Sequence, residues 1–196
     1  SVYIQVSRGV APRQHVFPKG VPCTWLVMVR EAKTQPQEFY DNGVTAITVP
    51  DERWARCNIK TTQLLANSIA KEKAKKAGAY EAIFHRGGSV TESSSSNVFI
   101  VKNKKLFTHP PTNMILHGIT RGVVLDILAK RKIDFSEEVF SLEDLFDADE
   151  VFVTGTMTEV MPIVKVDGKI IGDGVPGEIT RAIIADFNEL THIIDN

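Results

Sequence analysis

Cysteine is scarce in this chain: its two residues, Cys23 and Cys57, stand far apart with no metal-ligand spacing around them. That usage suits a reducing cytosol and gives neither thiol a catalytic role. An excess of charge of either sign is missing too, with 23 basic against 24 acidic residues. No global field therefore favours nucleic acid or a membrane surface, and small-molecule chemistry is the better fit. No apolar run reaches membrane-spanning length, and the first residues lack a charged head followed by an apolar stretch. Neither signal peptide nor anchor is read, and the expected location is the cytoplasm. A glycine-rich nucleotide fingerprint is absent. So are internal repeats, and the one low-complexity stretch is Ser93-Ser94-Ser95-Ser96.

What is present is enough apolar residue, 43% of 196, to bury a sizeable core as one large domain or one domain with an appendage. The chain starts at Ser1 without methionine, and Val2–Ser7 alternates like a strand already in progress, so a fragment is expected. Glu31–Gln37 is polar and holds Pro36, which predicts a linker. Val44–Val49 is a β-branched strand stopped by Pro50. From Thr61 to Ala77 the spacing predicts a helix, with Leu64, Leu65, Ile69 and Ala70 on one face, Lys71, Lys73, Lys75 and Lys76 on a solvated one, and Gly78 ending it. Strands are expected over Ala82–His85, Asn97–Val101, Leu106–Thr108, Glu150–Thr154 and Ile163–Val166. Asp167-Gly168 turns the last of these into Lys169–Ile171. Further helices are expected over Ile119–Arg131, Leu142–Phe146 and Gly177–Leu190.

Chemistry enters with Lys60, placed on a strand by Arg56-Cys57-Asn58-Ile59-Lys60, and Glu92 in Thr91-Glu92-Ser93-Ser94-Ser95-Ser96-Asn97. A lysine amine forms a Schiff base with an aldehyde cofactor, and a carboxylate under a pyridine nitrogen keeps it protonated so that the ring accepts electrons. A serine run is ordinarily a flexible polar loop. Between two strands and directly after Glu92, its hydroxyls and backbone N–H groups can instead surround an acidic residue or an anion. Thr120, in Leu116-His117-Gly118-Ile119-Thr120-Arg121, has helix capping as its ordinary role. The same helix start offers free N–H groups to a phosphate. Thr154-Gly155-Thr156 reads as a plain turn or as a second phosphate loop. Two hydroxyl-bearing loops converging on one phosphate suit a monophosphate better than a dinucleotide.

In this order the four segments resemble the fold-type IV pyridoxal phosphate enzymes, the class IV aminotransferases. The stretch Tyr3-Ile4-Gln5-Val6-Ser7-Arg8-Gly9-Val10-Ala11-Pro12-Arg13-Gln14-His15-Val16-Phe17-Pro18 is similar to a segment of the D-amino-acid transaminases among them. The resemblance implies an α+β fold: a large domain with a mixed, barrel-like sheet and helices over residues 39–196, a linker at 34–38, and the end of a smaller α/β domain over 1–33. That end would be a hairpin of Val2–Ser7 and Thr24–Arg30. Lys60 corresponds to the Schiff-base lysine, Glu92 to the partner of the pyridine nitrogen and Leu116 to a residue packed on the cofactor ring. Ile119, Thr120, Gly155 and Thr156 fall in the phosphate-binding segments. Arg13 and His15 match an Arg-x-His pair that captures the substrate carboxylate in the neighbouring subunit of a homodimer. The chain departs from the pattern at Gly155, where the relatives carry serine, and at Met157, which replaces a small hydroxyl residue. The implied cofactor is pyridoxal 5'-phosphate and the implied substrates are an amino acid and a 2-oxo acid, with no metal. Aminodeoxychorismate lyases and branched-chain aminotransferases share the cofactor site without that pair, and a non-catalytic relic of the fold is a further alternative.

Overall fold

The structure, a computed structural model, describes residues 1–191, so the last five positions of the expected 39–196 domain lie outside the described residues. Within them the chain divides into two compact units, Ser1–Thr34 and Gln35 onward. In the first, β1 (Val2–Ser7) and β2 (Thr24–Val29) form an antiparallel ladder pairing Val2 with Val29 and Ser7 with Thr24. The long connection between them turns at Gly9, whose φ of +98° and closeness to the Pro22 carbonyl leave no room for a Cβ. Arg13 and His15 lie on this connection and are exposed.

The second unit is built from the elements α1 (Gln37–Asn42), β3 (Val44–Pro50), α2 (Leu65–Lys76), β4 (Glu81–Arg86), β5 (Ser89–Ser93), β6 (Asn97–Lys102), β7 (Lys105–Thr108), α3 (Ile119–Arg131), β8 (Phe135–Glu137), α4 (Leu142–Phe146), β9 (Glu150–Gly155), β10 (Glu159–Val166), β11 (Lys169–Ile170) and α5 (Glu178–Thr191). Its strands run in the order β5-β4-β3-β10-β9-β6-β7-β8, with β11 paired to β10. Pairing is mixed: β3 is parallel to both β10 and β4, and β7 to β8, while the remaining pairs are antiparallel. The order itself forces curvature. β5 and β6 stand five places apart, about 24 Å across a flat sheet, yet three residues join them and reach at most roughly 14 Å. The sheet must therefore curl until β5 comes back towards β6, which puts the joining serines at the mouth of a half-barrel.

Apolar residues fill the curl and cover its outside. Val98, Ile100, Val151, Val153, Met161 and Ile163 form one buried cluster with Leu145 of α4. Phe99 and Phe152, stacked at 4.8 Å, head a second cluster on the opposite face beneath α3 and α5. This alternation along β6 and β9 is the period-two signal of strands buried on both faces.

The expectations are corrected in four places. Lys60 is not on a strand: the Ile59 N–H donates to Arg56 O at 3.1 Å and the Cys57 N–H to Asn113 O at 2.8 Å, bending the segment through a turn. α2 begins at Leu65, because Leu64 N–H donates to Thr62 O and Gln63 N–H to Thr61 Oγ1, so its buried face is Ala70 and Ala74. Leu64 and Leu65, expected on the apolar face of this helix, precede or open it and are 53% and 75% exposed. Within the stretch read as linker α1 starts, since Phe39 and Tyr40 find the core to pack on. Lys71, placed on a solvated face, reaches inward to Tyr80 O at 2.6 Å and Glu81 Oε2 at 3.3 Å.

Candidate active site

One cleft of about 740 Å³ opens over the start of α3, the serine turn and the segment carrying Lys60. Its wall includes Lys60, Glu92, Leu116, Ile119, Thr120, Gly155 and Thr156, drawn from four separate stretches of sequence. Arg13 and His15 belong to the other unit. Lys60 is exposed at the wall. Its segment is tied to the loop before α3 by the Cys57–Asn113 backbone bond and by Asn113 Nδ2, which donates to Ala55 O at 2.7 Å.

Glu92 is 5% exposed and almost completely partnered. Arg53 Nη1 donates to Oε1, while Asn97 Nδ2 and the Leu116 N–H each donate to Oε2 at 3.0 Å. A carboxylate offers about four acceptor sites, so one remains, on Oε1. Burial pushes the Glu92 carboxyl up to about 7, against the lowering pull of Arg53 and of the Leu116 N–H. Behind Glu92, Asp51 accepts from Arg53 Nε and Nη2 at 2.9 Å each and from Thr91 Oγ1 at 3.1 Å, with Arg86 Nη2 at 3.4 Å. Burial works to raise the Asp51 carboxyl, but the Arg53 hydrogen bonds and charge outweigh it and hold it below the usual carboxylate range. Arg53 lies over the Phe84 ring at 4.5 Å, and the hydrogen bonds it donates to Asp51 and the charge of Glu92 overcome its burial to raise its pKa. Two carboxylates thus face two guanidinium groups, and the cluster is neutral as a whole.

The N-terminus of α3 has Gly118 as its cap residue and no side-chain cap. Thr120 therefore sits inside the first turn, not at the capping position that was its ordinary reading. The first helical bond is Gly122 N–H to Gly118 O at 3.1 Å, which leaves the N–H groups of Ile119 and Thr120 without helical partners at the cleft. A Cβ on Gly118 would stand 2.2 Å from Asn97 Oδ1, so only glycine lets the helix start approach the serine turn this closely. At the end of β9, the Thr154 hydroxyl is buried against the cleft with no partner, and a Cβ on Gly155 would lie 3.3 Å from Ser95 O.

The serine run surrounds an acidic residue, but that residue is Glu81 on β4. Ser94, Ser95 and Ser96 all turn their hydroxyls to its carboxylate, the last two at 3.2 Å. Sequence reasoning missed Glu81, Asp51, Arg53 and Asn97. Only the closeness of Asp51 and Arg53 to Lys60, and the place of Asn97 at the end of the serine run, could have flagged any of them. Cys57 is buried, its Sγ bonds Trp54 O at 3.2 Å, and burial pushes the thiol up, away from nucleophilic use.

The model of the family described as amino-transferase class IV matches residues 1–166. The chain belongs to the class IV aminotransferases. It is 47% identical over 188 residues to a D-alanine aminotransferase of Staphylococcus haemolyticus, covering 96% of this chain and 67% of that protein. Among solved structures it is similar to a branched-chain amino acid aminotransferase of Escherichia coli, with a TM-score of 0.85 at 28% identity, covering 96% of this chain and 64% of that one. It also matches a branched-chain amino acid aminotransferase of Thermobaculum terrenum in its PLP form, with a TM-score of 0.82 at 25% identity and the same coverage. The chain spans about two thirds of the length of these relatives. The mixed, curled sheet described above is the fold that the chain shares with these solved structures.

Proposed function

We propose that the protein containing this chain transfers the amino group of a D-amino acid to a 2-oxo acid, using pyridoxal 5'-phosphate. The observation that carries the reading is the convergence of an accessible lysine, a buried carboxylate with one free acceptor site and an uncapped helix start in a single cleft. Identity favours the D-amino-acid branch over the branched-chain one, 47% against 28%. The residues fit the cofactor: the unpartnered Thr154 hydroxyl and the free N–H groups of Ile119 and Thr120 are donors awaiting an anion. Bound there, pyridoxal phosphate supplies an aldehyde that takes up amino groups and a ring that accepts the electron pair released at the substrate α-carbon.

Ile119, Thr120, Gly155 and Thr156 bind the phosphate, and Leu116 packs on the ring. Glu92 Oε1 holds a proton at the ring nitrogen through its remaining acceptor site, while Arg53, Asn97 and the Leu116 N–H fix its aim. Lys60 Nζ would take the proton from the substrate α-carbon and return it to the former aldehyde carbon of the cofactor, on the far side of the shared nitrogen, its reach set by the turn at Arg56–Ile59. Trp54, Leu64 and Leu65 give the cleft wall an apolar surface against which a substrate side chain can pack. Arg13 and His15 bind the substrate α-carboxylate in the neighbouring subunit of a homodimer, the guanidinium matching it in a bidentate manner. Residues 1–33 are then the end of a smaller α/β domain. A cytoplasmic setting belongs to the same reading and rests on the sparse, widely spaced cysteines of the sequence.

The test is to give the protein D-alanine, with and without a 2-oxo acid acceptor. Pyruvate formation that requires the acceptor is expected. Acceptor-independent pyruvate from aminodeoxychorismate would move the assignment to the lyase, and turnover of L-leucine in place of D-alanine to the branched-chain enzymes.

A further inference from the structure

Glu81 is fully buried, 0% exposed, yet no step above uses it. Its carboxylate takes donors from three elements. Oε1 accepts from the Ala82 N–H at 2.8 Å and from Ser94 Oγ; Oε2 accepts from Ser95 Oγ and Ser96 Oγ at 3.2 Å each and faces Lys71 Nζ at 3.3 Å. Isolated in a core, a carboxylate is strongly unfavourable, and it persists only where donors satisfy it this fully. α2 adds a second tie, since Asn67 Nδ2 donates to Ser94 O at 2.8 Å.

The turn so gripped is short and closed upon itself. Ser93 N–H and Oγ both donate to Ser96 O at 2.8 Å, and Ser94 N–H donates to Ala82 O at 2.9 Å. Glu92 enters this turn and Asn97 leaves it, and the two side chains are bonded to each other across its base. The separation that lets Asn97 reach Glu92 is therefore set by the conformation of residues 93–96. Hydroxyls drawn to Glu81 are also not spent on the cleft, so the serine run meets the cleft with a fixed shape in place of rotating donors.

We propose that Glu81 is a positioning residue for Glu92: through Ser94, Ser95 and Ser96 it fixes the turn that aims the Glu92 carboxylate into the cleft. The role at the ring nitrogen rests on the function proposed above; the hold on the turn does not. The substitution Glu81→Gln keeps the shape but cannot serve all the donors. Whichever way the amide is turned, its NH2 group meets either the Ala82 N–H and Ser94 or Lys71 and two serines.

Two measurements separate the claims. In the cofactor-free protein, hydrogen exchange of the Ser93 and Ser94 amides should quicken at least tenfold in Glu81→Gln, with the amides of β9 and α3 unchanged; unchanged exchange at Ser93 and Ser94 would overturn the proposal. The milder Ser95→Ala, which removes one donor, should quicken the same amides less, and serves if Glu81→Gln does not fold. Pyridoxal phosphate affinity, read by equilibrium dialysis, should fall about tenfold in Glu81→Gln and about as far or further in Glu92→Gln. The double variant should be no weaker than Glu92→Gln alone, because one residue acts through the other. Multiplied losses would overturn the positioning role. Absence of cofactor binding by the unaltered protein would instead defeat the proposed function, leaving the exchange result to stand by itself.

Discussion

Glu92 is a buried carboxyl in the cleft whose protonation is coupled to folding. Its carboxyl is raised by burial from an ordinary 4.5 to about 7. Between those values the folded chain holds a proton that the unfolded chain has released, so the stability this group contributes is fully present below about 4.5 and is lost as pH rises through about 7. The slope from one such group is at most ~1.4 kcal/mol per pH unit. Urea unfolding of the cofactor-free protein across this range should show stability falling with pH, and Glu92→Gln should flatten that fall. An equal slope in both proteins would assign the titration to another group.

At the scale of elements, the cleft depends on how closely the start of α3 approaches the serine turn. Gly118 has ordinary helical-entry geometry, with φ −64° and ψ 137°, so a side chain there meets no backbone strain. The obstacle is steric, because the added Cβ would meet Asn97 Oδ1. Asn97 donates both to Glu92 and to Leu116 O at 2.8 Å, and displacing it loosens both. Gly118→Ala should therefore destabilise the fold by about 1–3 kcal/mol, the usual range for overpacking, and also weaken pyridoxal phosphate binding. Denaturant unfolding beside equilibrium dialysis checks the pair of effects. A stability loss with intact cofactor affinity would show that the approach of α3 serves packing alone.

For the whole molecule, the proposed carboxylate trap lies on the exposed connection of the first unit and is proposed to serve a partner subunit. Arg13→Leu should cost on the order of 2–5 kcal/mol of substrate binding by removing a charge-assisted pair. The loss should appear as a raised amino-acid KM or a lower kcat/KM, with cofactor affinity little changed. Mixing Arg13→Leu with Lys60→Ala chains should restore one working site per mixed dimer, since each chain supplies what the other lacks. Activity that fails to recover on mixing, while the dimers form, would place the trap and Lys60 in the same subunit.

Local patterns were enough for elements whose partners are near in sequence. α3 and α4 have the limits expected for them, although Gly118 and not Thr120 is the cap of α3, and the strands rich in β-branched and aromatic residues, β3, β4, β6 and β9, stand within a residue of where they were expected. Helix spacing, however, says which residues share a face and not what that face meets. Leu64 and Leu65, expected on the apolar face of a helix, therefore stand in the cleft wall, and Lys71 turns from solvent to a buried carboxylate. The same limit applies at the site. Lys60, Glu92 and the segments around Thr120 and Thr156 could be singled out because each chemistry needs a residue type in a short motif. Glu81, Asp51, Arg53 and Asn97 have no such motif; their roles are pairings across the curled sheet, made when a three-residue turn draws β5 back to β6. Residue chemistry and short-range periodicity belong to the sequence by itself, whereas burial of charge, and the partner each charge finds, exists only once distant strands have closed around it.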